Sequence, residues 1–280
     1  MSEVQAVTDY NDVKTMDKDE AVKQGLCVII GKDIDDKYIA RLKEQVKHPE
    51  AIKAMAKDLK IVYTPLHGTG NIPARRVLKE LGFENVYVVP EQELPDGEFP
   101  TVSYPNPEAE EAFVLGLKLA KEVDADLVLA TDPDADRLGV RVKDKNGEYH
   151  TLTGNMSGCL LAEYTIGQMK ALNGGLPEDG ALIKTIVTTN MADAVAKHYG
   201  IRLIECLTGF KYIGQQILGF ETSGKGTYLF GFEESYGCLI GTHARDKDAI
   251  VATMALCEAA AYYKTQGKNL WDAMVDMYEK

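Results

Sequence analysis

The stretch that most constrains the fold is a short apolar run that ends in a set of alternate aspartates. The run covers residues 127–130, and a second apolar run begins at Leu138. Between them stand Asp132, Asp134 and Asp136. Apolar runs this short, bounded by turn residues, indicate buried strands. Because open α/β sheets bind ligands at the carboxyl ends of their strands, the stretch predicts an α/β sheet with three carboxylates at its binding edge.

The three aspartates predict a site for Mg²⁺. Carboxylates at alternate positions repel one another strongly unless a cation neutralises them. Pro133 stiffens the turn, so the oxygens can converge at a smaller entropic cost. Hard oxygen ligands favour Mg²⁺ over Zn²⁺. Arg137 follows at once, and a guanidinium beside a metal is suited to holding phosphate.

Other interpretations of these aspartates compete with a magnesium site. An EF-hand starting at Asp132 needs glycine and glutamate at its sixth and twelfth positions, where this chain has Arg137 and Lys143. A phosphatase with Asp132 as its nucleophile fits the first two aspartates, but not the third or the arginine. The residues alone exclude the EF-hand and leave open both the phosphatase and a plain acidic surface turn.

The sequence Thr-Asp-Pro-Asp-Ala-Asp-Arg at residues 131–137 resembles the magnesium loop of the α-D-phosphohexomutases, the superfamily of phosphoglucomutase and phosphomannomutase. We call residues 132–137 the metal loop. The resemblance implies that Asp132, Asp134 and Asp136 hold Mg²⁺ against a phosphoserine from another domain. It also implies that Arg137 acts catalytically, by neutralising charge that spreads over phosphoryl oxygens.

Composition bounds the class of protein. The chain has 280 residues, which suggests about two domains, and 45% of them are hydrophobic, which is enough for ordinary globular cores. The net charge of −12 disfavours nucleic acid and anionic membranes as partners. Five scattered cysteines are typical of reduced thiols, and neither a signal peptide nor an apolar run of membrane-spanning length is evident. We therefore expect a cytoplasmic protein.

Alternating strand and helix signals predict an α/β protein with two consecutive doubly wound mixed-sheet domains of the phosphohexomutase type. Strands are predicted at residues 26–30, 59–64, 86–89, 127–130, 138–142, 148–152, 182–188, 202–207 and 227–232. Helices are predicted at residues 72–81, 108–122, 153–170, 191–199, 210–218 and 248–265. The pattern 145–147, Lys-Asn-Gly, predicts a hairpin between two of the strands.

The resemblance also implies a division of the chain. Residues 1–44 are expected to be a remnant of the family's first domain. Residues 45–152 correspond to its second domain, since the turn Pro65–Gly70 and the loop around Asp96–Pro100 match that domain as well. Residues 153–280 correspond to its third domain. At its start, Asn155 stands where the family usually has aspartate, although asparagine caps a helix equally well.

Residues 231–237, Gly-Phe-Glu-Glu-Ser-Tyr-Gly, follow an apolar run directly. Glu233 and Ser235 could bind vicinal sugar hydroxyls, because one accepts hydrogen bonds and the other also donates. An exposed acidic turn is the alternative. The stretch resembles the family's sugar-specificity loop, which implies hexose contacts for Glu233 and Ser235, and we call it the sugar loop. Phosphomannomutase-type members carry histidine where this chain has Gly237, which favours phosphoglucomutase.

Two cations close together in an acidic chain suggest an anion site at residues 243–248. A helix start capped by Asp246 or Asp248 is the alternative. The segment resembles a phosphoglucomutase motif whose lysine lies beside the transferring phosphoryl group. The resemblance implies a catalytic or phosphate-binding role for Lys247 and substrate binding for Arg245.

A third candidate anion site opens the helix at residues 208–211. Backbone N–H groups and the helix dipole favour anions there, and the stretch resembles the family's loop over the sugar ring. The resemblance implies substrate contacts for Thr208, Gly209, Phe210 and Lys211. Lys184, which lies inside a predicted strand, is a further substrate-binding candidate. Its alternative is a lysine that extends its charge to solvent.

Taken together, the resemblance implies a phosphoglucomutase that interconverts glucose 1-phosphate and glucose 6-phosphate through a phosphoserine and a bisphosphorylated sugar. The family's serine lies in a Ser-His-Asn-Pro loop, and none of the five serines here precedes His-Asn-Pro. We therefore expect the first and fourth domains of the same protein to be partners of these residues, and the 280 residues alone to be inactive. A phosphomannomutase, another phosphohexomutase, or a non-catalytic sugar-phosphate binding module are the alternatives.

Overall fold

Nine strands and twelve α-helices alternate along the chain in the computed structural model, which describes all 280 residues. The strands are β1 Lys60–Thr64, β2 Asn85–Val88, β3 Leu127–Thr131, β4 Leu138–Lys143, β5 Tyr149–Leu152, β6 Gly180–Thr185, β7 Arg202–Cys206, β8 Thr227–Phe232 and β9 Cys238–Leu239. The helices are α1 Ser2–Ala6, α2 Lys18–Lys23, α3 Gly31–Lys43, α4 Pro49–Met55, α5 Asn71–Leu81, α6 Pro90–Glu93, α7 Val114–Val123, α8 Gly154–Asn173, α9 Met191–Tyr199, α10 Phe210–Ser223, α11 Ala249–Thr265 and α12 Leu270–Glu279. None of the helices has both the length and the apolar character needed to span a bilayer.

The chain divides into a unit of residues 1–38 and a unit of residues 39–280. The first unit contains no buried residue. Its helix α2 begins after Asp17, whose side chain accepts hydrogen bonds from the N–H groups of Asp19 and Glu20. The strand predicted at residues 26–30 is wrong. Apolar side chains such as Val28 and Ile29 are exposed there, and a strand needs a neighbouring strand to pair its backbone.

The first sheet has the strand order β2-β1-β3-β4-β5. Strands β2, β1 and β3 are parallel, whereas β4 and β5 continue the sheet in antiparallel order. Every residue of β3 is buried, which agrees with its uninterrupted apolar run. The hairpin between β4 and β5 lies where the Lys-Asn-Gly signal predicted it.

The second sheet has the order β7-β6-β8-β9, with β6, β7 and β8 parallel and the short β9 antiparallel. Its core includes Ile183 from β6 and the α10 residues Phe210 and Ile213. Two mixed sheets with alternating helices confirm the predicted α/β class. Strand β6 stops three residues earlier than predicted, because residues after Thr185 turn back and Thr188 N–H donates to the Thr185 carbonyl.

Helix α11 is buried along most of its length and contacts α4, α5, α8 and α12. An alanine-rich helix that is apolar all round is stable only in such surroundings. It begins one residue after Asp248, whose side chain accepts hydrogen bonds from the N–H groups of Ile250 and Val251. The capping alternative for Asp248 is therefore confirmed, and α11 matches the predicted helix.

Candidate functional site

The metal loop starts directly at the carboxyl end of β3. Asp132 is only 8% exposed, and its Oδ1 accepts hydrogen bonds from the N–H groups of Asp136 and Arg137, both at 2.9 Å. Ala135, at the turn of the loop, has the left-handed φ of 61°. Asp132 thus closes the loop on itself, with one oxygen bound to the backbone and the other left for a ligand.

The three aspartates converge as the sequence predicts. One carboxylate oxygen from each of Asp132, Asp134 and Asp136 lies within 4.8 Å of the other two. Burial, together with repulsion from Asp136 and Asp134, raises the pKa of Asp132 to about 7. Oδ1 of Asp136 is buried without a hydrogen-bond partner, and Arg137 Nε lies 3.6 Å away. Unsatisfied, mutually repelling carboxylate oxygens fit a hard divalent cation.

The turn Pro65–Gly70 supports the metal loop through its backbone. Thr69 donates to the Pro133 carbonyl from its N–H at 2.8 Å and from its hydroxyl at 3.0 Å. A Cβ added at Gly68 would lie 2.3 Å from the Pro133 Cα. Only glycine therefore allows this close approach, and the glycine turn acts here as a support for the metal loop.

Arg137 lies among carboxylates. Its Nη1 donates to Glu108 Oε1 at 3.2 Å, and its Nε lies 3.8 Å from Asp132 Oδ2. The side chain is one-third exposed. A guanidinium with five donors has further donors for an anion after these contacts are made.

The sugar loop follows β8 and turns sharply. Glu233 is buried, and its Oε1 accepts the N–H of Gly209 at 3.0 Å, so the sugar loop contacts the start of α10. The N–H of Glu233 donates to the Gly237 carbonyl at 2.9 Å. Burial raises the pKa of Glu233, with Glu234 and Asp246 adding to the effect and Lys247 opposing it. Ser235 is partly exposed.

Lys247 links the two loops. Its Nζ donates to Asp246 Oδ1 at 3.0 Å and lies 2.8 Å from Asp136 Oδ2. Burial opposes its charged form, but these two carboxylates outweigh burial and raise the pKa of Lys247. A Cβ added at Gly237 would lie 2.1 Å from the Lys247 Cδ, so the glycine makes room for the lysine stem.

Backbone hydrogen bonds join the two loops as well. Leu138 N–H, just after the metal loop, donates to the carbonyl of Tyr236 in the sugar loop at 2.9 Å. Ala249 N–H, at the start of α11, donates to the Ala135 carbonyl at 3.1 Å. Tyr236 and Ala135 both have left-handed φ values. The structure therefore brings the metal loop, the sugar loop and Lys247 into one site.

The cationic groups of two predicted substrate-binding residues are bound to protein oxygens. Lys184 is fully buried, and its Nζ lies 3.1 Å from Glu205 Oε1 and 3.5 Å from Asp193 Oδ2. The alternative of a lysine that reaches solvent is therefore wrong. Arg245 donates to Glu221 Oε2 at 2.5 Å and to the Thr242 carbonyl at 2.7 Å.

Residues 208–211 start α10 beside Glu233. Thr208 and Lys211 are exposed, whereas Phe210 is buried in the core. Gly209 has the left-handed φ of 117°, which glycine adopts without strain. The Lys247 Nζ lies 5.8 Å from the centre of the Phe210 ring. The buried ring thus packs under the site, and the exposed neighbours face solvent.

Sequence reasoning missed two sets of contacts near the sugar loop. Glu234 accepts hydrogen bonds from the hydroxyls of Thr185 and Thr188, which the doublet of glutamates in the sugar loop could have indicated. Asn155 is not the cap of α8, because the Thr153 side chain accepts the Met156 N–H instead. The Asn155 Oδ1 accepts the N–H of Thr189 at 3.0 Å.

Two other features lie apart from this site. Asp144, Glu148 and His150 also cluster, but Asp144 Oδ1 accepts the Glu148 N–H and Oδ2 contacts the His150 ring, so the cluster closes the β4–β5 hairpin. A cavity of about 290 Å³ is lined in part by Asp126 and Lys264, near the starts of β1 and β3 and therefore at the opposite edge of the first sheet from the metal loop.

The chain matches two sequence profiles. Residues 36–147 match that of the phosphoglucomutase/phosphomannomutase alpha/beta/alpha domain II, and residues 153–280 match that of domain III. A Haemophilus influenzae protein named "Probable phosphomannomutase" is 38% identical over 246 residues, which cover 88% of this chain and 46% of that protein. A Staphylococcus epidermidis phosphoglucomutase is 39% identical over 220 residues, which cover 79% of this chain and 39% of that protein.

A solved structure has a similar fold. It is Aspergillus fumigatus N-acetylphosphoglucosamine mutase, described in complex with GlcNAc-6P and magnesium, with a TM-score of 0.54 and 14% identity. The match covers 83% of this chain and 52% of that chain. The present chain thus spans less than half the length of the two curated relatives and about half of this structure.

Proposed function

Because the chain belongs to the phosphoglucomutase/phosphomannomutase family, we propose that it supplies the metal-binding and sugar-binding parts of a phosphohexomutase. The observation that carries the proposal is the ion pair between Lys247 and Asp136, at 2.8 Å, which joins the sugar-loop side of the site to the metal loop. In the whole protein, the proposed reaction interconverts glucose 1-phosphate and glucose 6-phosphate through a phosphoserine and a bisphosphorylated sugar.

We propose that Asp132, Asp134 and Asp136 hold Mg²⁺. Their convergent oxygens, and the magnesium described for the Aspergillus mutase, support this assignment. When bound, the ion would neutralise negative charge on phosphoryl oxygens. Arg137 lies beside Asp132 and Asp136 and would bind an oxygen of the same phosphoryl group.

The sugar loop is proposed to bind the hexose. The Glu233 carboxylate would accept hydrogen bonds from sugar hydroxyls, and the Ser235 hydroxyl would both donate and accept. Thr208, Gly209 and Lys211 are proposed to close over the ring from the start of α10. Lys247 would bind the phosphate or hold a proton beside it, and its ionised form, favoured by Asp136 and Asp246, suits the first of these tasks.

Lys184, Phe210 and Arg245 stay substrate-binding candidates through the family resemblance. The present contacts of Lys184 and Arg245 with protein oxygens mean that a substrate would have to exchange these partners. The choice between glucose and mannose is also part of the proposal. Gly237 supports glucose, because phosphomannomutase-type members carry histidine at this position and the Lys247 stem fills the space that its side chain would need.

Binding measurements on the 280-residue chain test the proposal. We expect Mn²⁺, used as a paramagnetic probe, to broaden amide signals around residues 132–137. Glucose 6-phosphate should shift signals at residues 208–211, 233–235 and 247, with a dissociation constant of roughly 1 mM. We expect no turnover of glucose 1-phosphate, since none of the five serines lies in the family's serine motif. Shifts confined to other surfaces would refute the proposed site.

A further inference from the structure

Glu233 and Glu234 are neighbours in the sugar loop, yet their carboxylates bind different parts of the protein. Glu233 Oε1 accepts the N–H of Gly209 at the start of α10. Glu234 Oε2 accepts the hydroxyls of Thr185 and Thr188, both at 3.1 Å. The resemblance gives a role to the first glutamate, whereas the contacts of the second follow from the structure alone.

The two hydroxyls that Glu234 binds are inaccessible to solvent. Thr185 is 0% and Thr188 is 2% exposed, and their Oγ1 atoms lie 2.7 Å apart. The contact between the two threonine hydroxyls can hold only one of their two protons, so at least one hydroxyl donates to Glu234 Oε2. Removing this acceptor would leave a buried hydroxyl proton without a partner in the cluster.

The segment that carries these threonines is held from other sides too. The buried Nζ of Lys184 donates to the carbonyls of Thr188 and Thr189, at 3.3 and 3.4 Å. The N–H of Thr189 donates to Asn155 Oδ1. Segment 185–189 is thus fixed to the end of β6 and to the first turn of α8, which makes it a firm support for Glu234.

The backbone of Glu234 also lies against α8. A Cβ added at Gly154 would lie 2.0 Å from the Glu234 carbonyl oxygen and 2.5 Å from the Tyr236 nitrogen. Only a glycine at the start of α8 allows the sugar loop to come so close. The side chain and the backbone of Glu234 are therefore both in contact with fixed parts of the fold.

We propose that Glu234 is a positioning residue: its carboxylate ties the sugar loop to segment 185–189 and so fixes the directions in which Glu233 and Ser235 present their side chains. Glu234 lies between these two residues, so holding its side chain restricts the backbone torsion angles on both sides. The inference rests on the proposed function, which assigns hexose binding to Glu233 and Ser235.

Amide hydrogen exchange of the 280-residue chain without ligand tests the tie itself. Glu234→Met keeps the length of the side chain but removes the acceptor, and we expect about tenfold faster exchange at residues 185–189 and 233–236. Exchange at Arg137 in the metal loop should not change. Glu178→Met, at an exposed glutamate, is the matched control. Unchanged exchange at both segments would overturn the proposal.

Glucose 6-phosphate, used as the probe, tests whether the tie matters for binding. We expect Glu234→Met to raise its dissociation constant about fivefold to tenfold, and Glu234→Gln, which keeps an acceptor oxygen, to raise it less. In a Thr188→Val background the further effect of Glu234→Met should shrink, because the two residues act through one contact. Fully additive effects, or faster exchange with unchanged affinity, would overturn the positioning role.

The proposed function can fail separately. If the wild-type chain shows no saturable binding of glucose 6-phosphate, the assignment of hexose binding to this chain is refuted. The exchange experiment still decides whether Glu234 ties the sugar loop to segment 185–189.

Discussion

The Nζ of Lys247 lies 2.8 Å from Oδ2 of Asp136, so a candidate phosphate-binding cation is in direct contact with a candidate metal ligand. An ammonium group and a divalent cation attract the same carboxylate, and each lowers the affinity of the carboxylate for the other. Affinity coupling of this kind is reciprocal. The contact therefore predicts that changes at Lys247 alter metal binding, although the lysine comes from the second sheet's side of the site.

Asp134→Ala should abolish binding of Mn²⁺ to the metal loop. Asp134 is exposed and is one of three converging carboxylates, so its removal takes away a ligand with little effect on the core. Calorimetric titration of both proteins with Mn²⁺ measures the loss. Glu148→Ala is the control, because it removes a carboxylate from the hairpin cluster. Equal binding by Asp134→Ala and wild type would contradict the metal assignment.

Lys247→Met should change the affinities for metal and sugar phosphate in opposite directions. Removing a positive charge 2.8 Å from Asp136 should tighten Mn²⁺ binding, by about threefold to tenfold at a partly exposed site. The same change should weaken binding of glucose 6-phosphate, since a cation beside the phosphate is lost. Two separate titrations provide the comparison. A decrease in both affinities would indicate collapse of the site instead of competition for Asp136.

Gly237→Ala should displace Lys247 without touching its charge. The new methyl group would lie 2.1 Å from the Lys247 Cδ, and the lysine stem has to move. We expect the Mn²⁺ affinity to rise in the same direction as in Lys247→Met. Gly219→Ala in α10 is the matched control, because a Cβ there meets no atom within 4 Å. An unchanged metal affinity would mean that Lys247 keeps its contact with Asp136 in another rotamer.

Glu258→Ala should strongly destabilise the fold. The buried Oε1 of Glu258 accepts the N–H groups of Lys47 and His48, at 2.6 and 2.5 Å, and the Tyr164 hydroxyl at 3.0 Å. Alanine leaves these donors unpaired, at a cost of about 2–4 kcal/mol in the free energy of unfolding. Glu258→Gln keeps an acceptor oxygen. Chemical denaturation should therefore give it a clearly higher free energy of unfolding than Glu258→Ala.

The same residue predicts a pH dependence of stability. Burial raises the pKa of Glu258 above its value in the unfolded chain. The folded state therefore binds this proton more tightly, and wild-type stability should fall as pH rises from about 4.3 through the raised folded pKa. Glu258→Gln lacks this proton, so its stability relative to wild type should increase over that interval. If the stability of Glu258→Gln relative to wild type stays constant between pH 4 and pH 7, the prediction is contradicted.

Local sequence patterns predicted those parts of the site that are formed by residues close together in the sequence. The apolar run of β3 and the alternate aspartates were enough to predict the metal loop at a strand end. The resemblance then assigned hexose contacts to Glu233 and Ser235, and the structure joins their loop to the metal loop through the hydrogen bond from Leu138 to Tyr236. The contact between Lys247 and Asp136 could not be predicted from spacing, because it depends on how two sheets pack.

Where sequence reasoning was wrong, contacts distant in the sequence decided the outcome. Residues 26–30 have strand-like composition, but they lie outside both sheets. The β6 prediction was too long, since Thr188 turns back to hydrogen-bond with Thr185 and with Glu234. Glu234 contacts Thr185 and Thr188, and Lys184 contacts Glu205. These partners lie too far apart in the sequence for local periodicity to predict their contacts.

The hydrogen bond from Leu138 to Tyr236 also limits how this protein can be engineered. It fixes a particular residue of the sugar loop against the first residue of β4, and Tyr236 adopts a left-handed backbone to reach it. Grafting the corresponding loop from another family member would keep this hydrogen bond only if the graft keeps the number of residues between Glu233 and Gly237. One inserted residue would move a different carbonyl opposite Leu138. We therefore expect substitutions of side chains at constant loop length to keep this contact, and insertions to lose it.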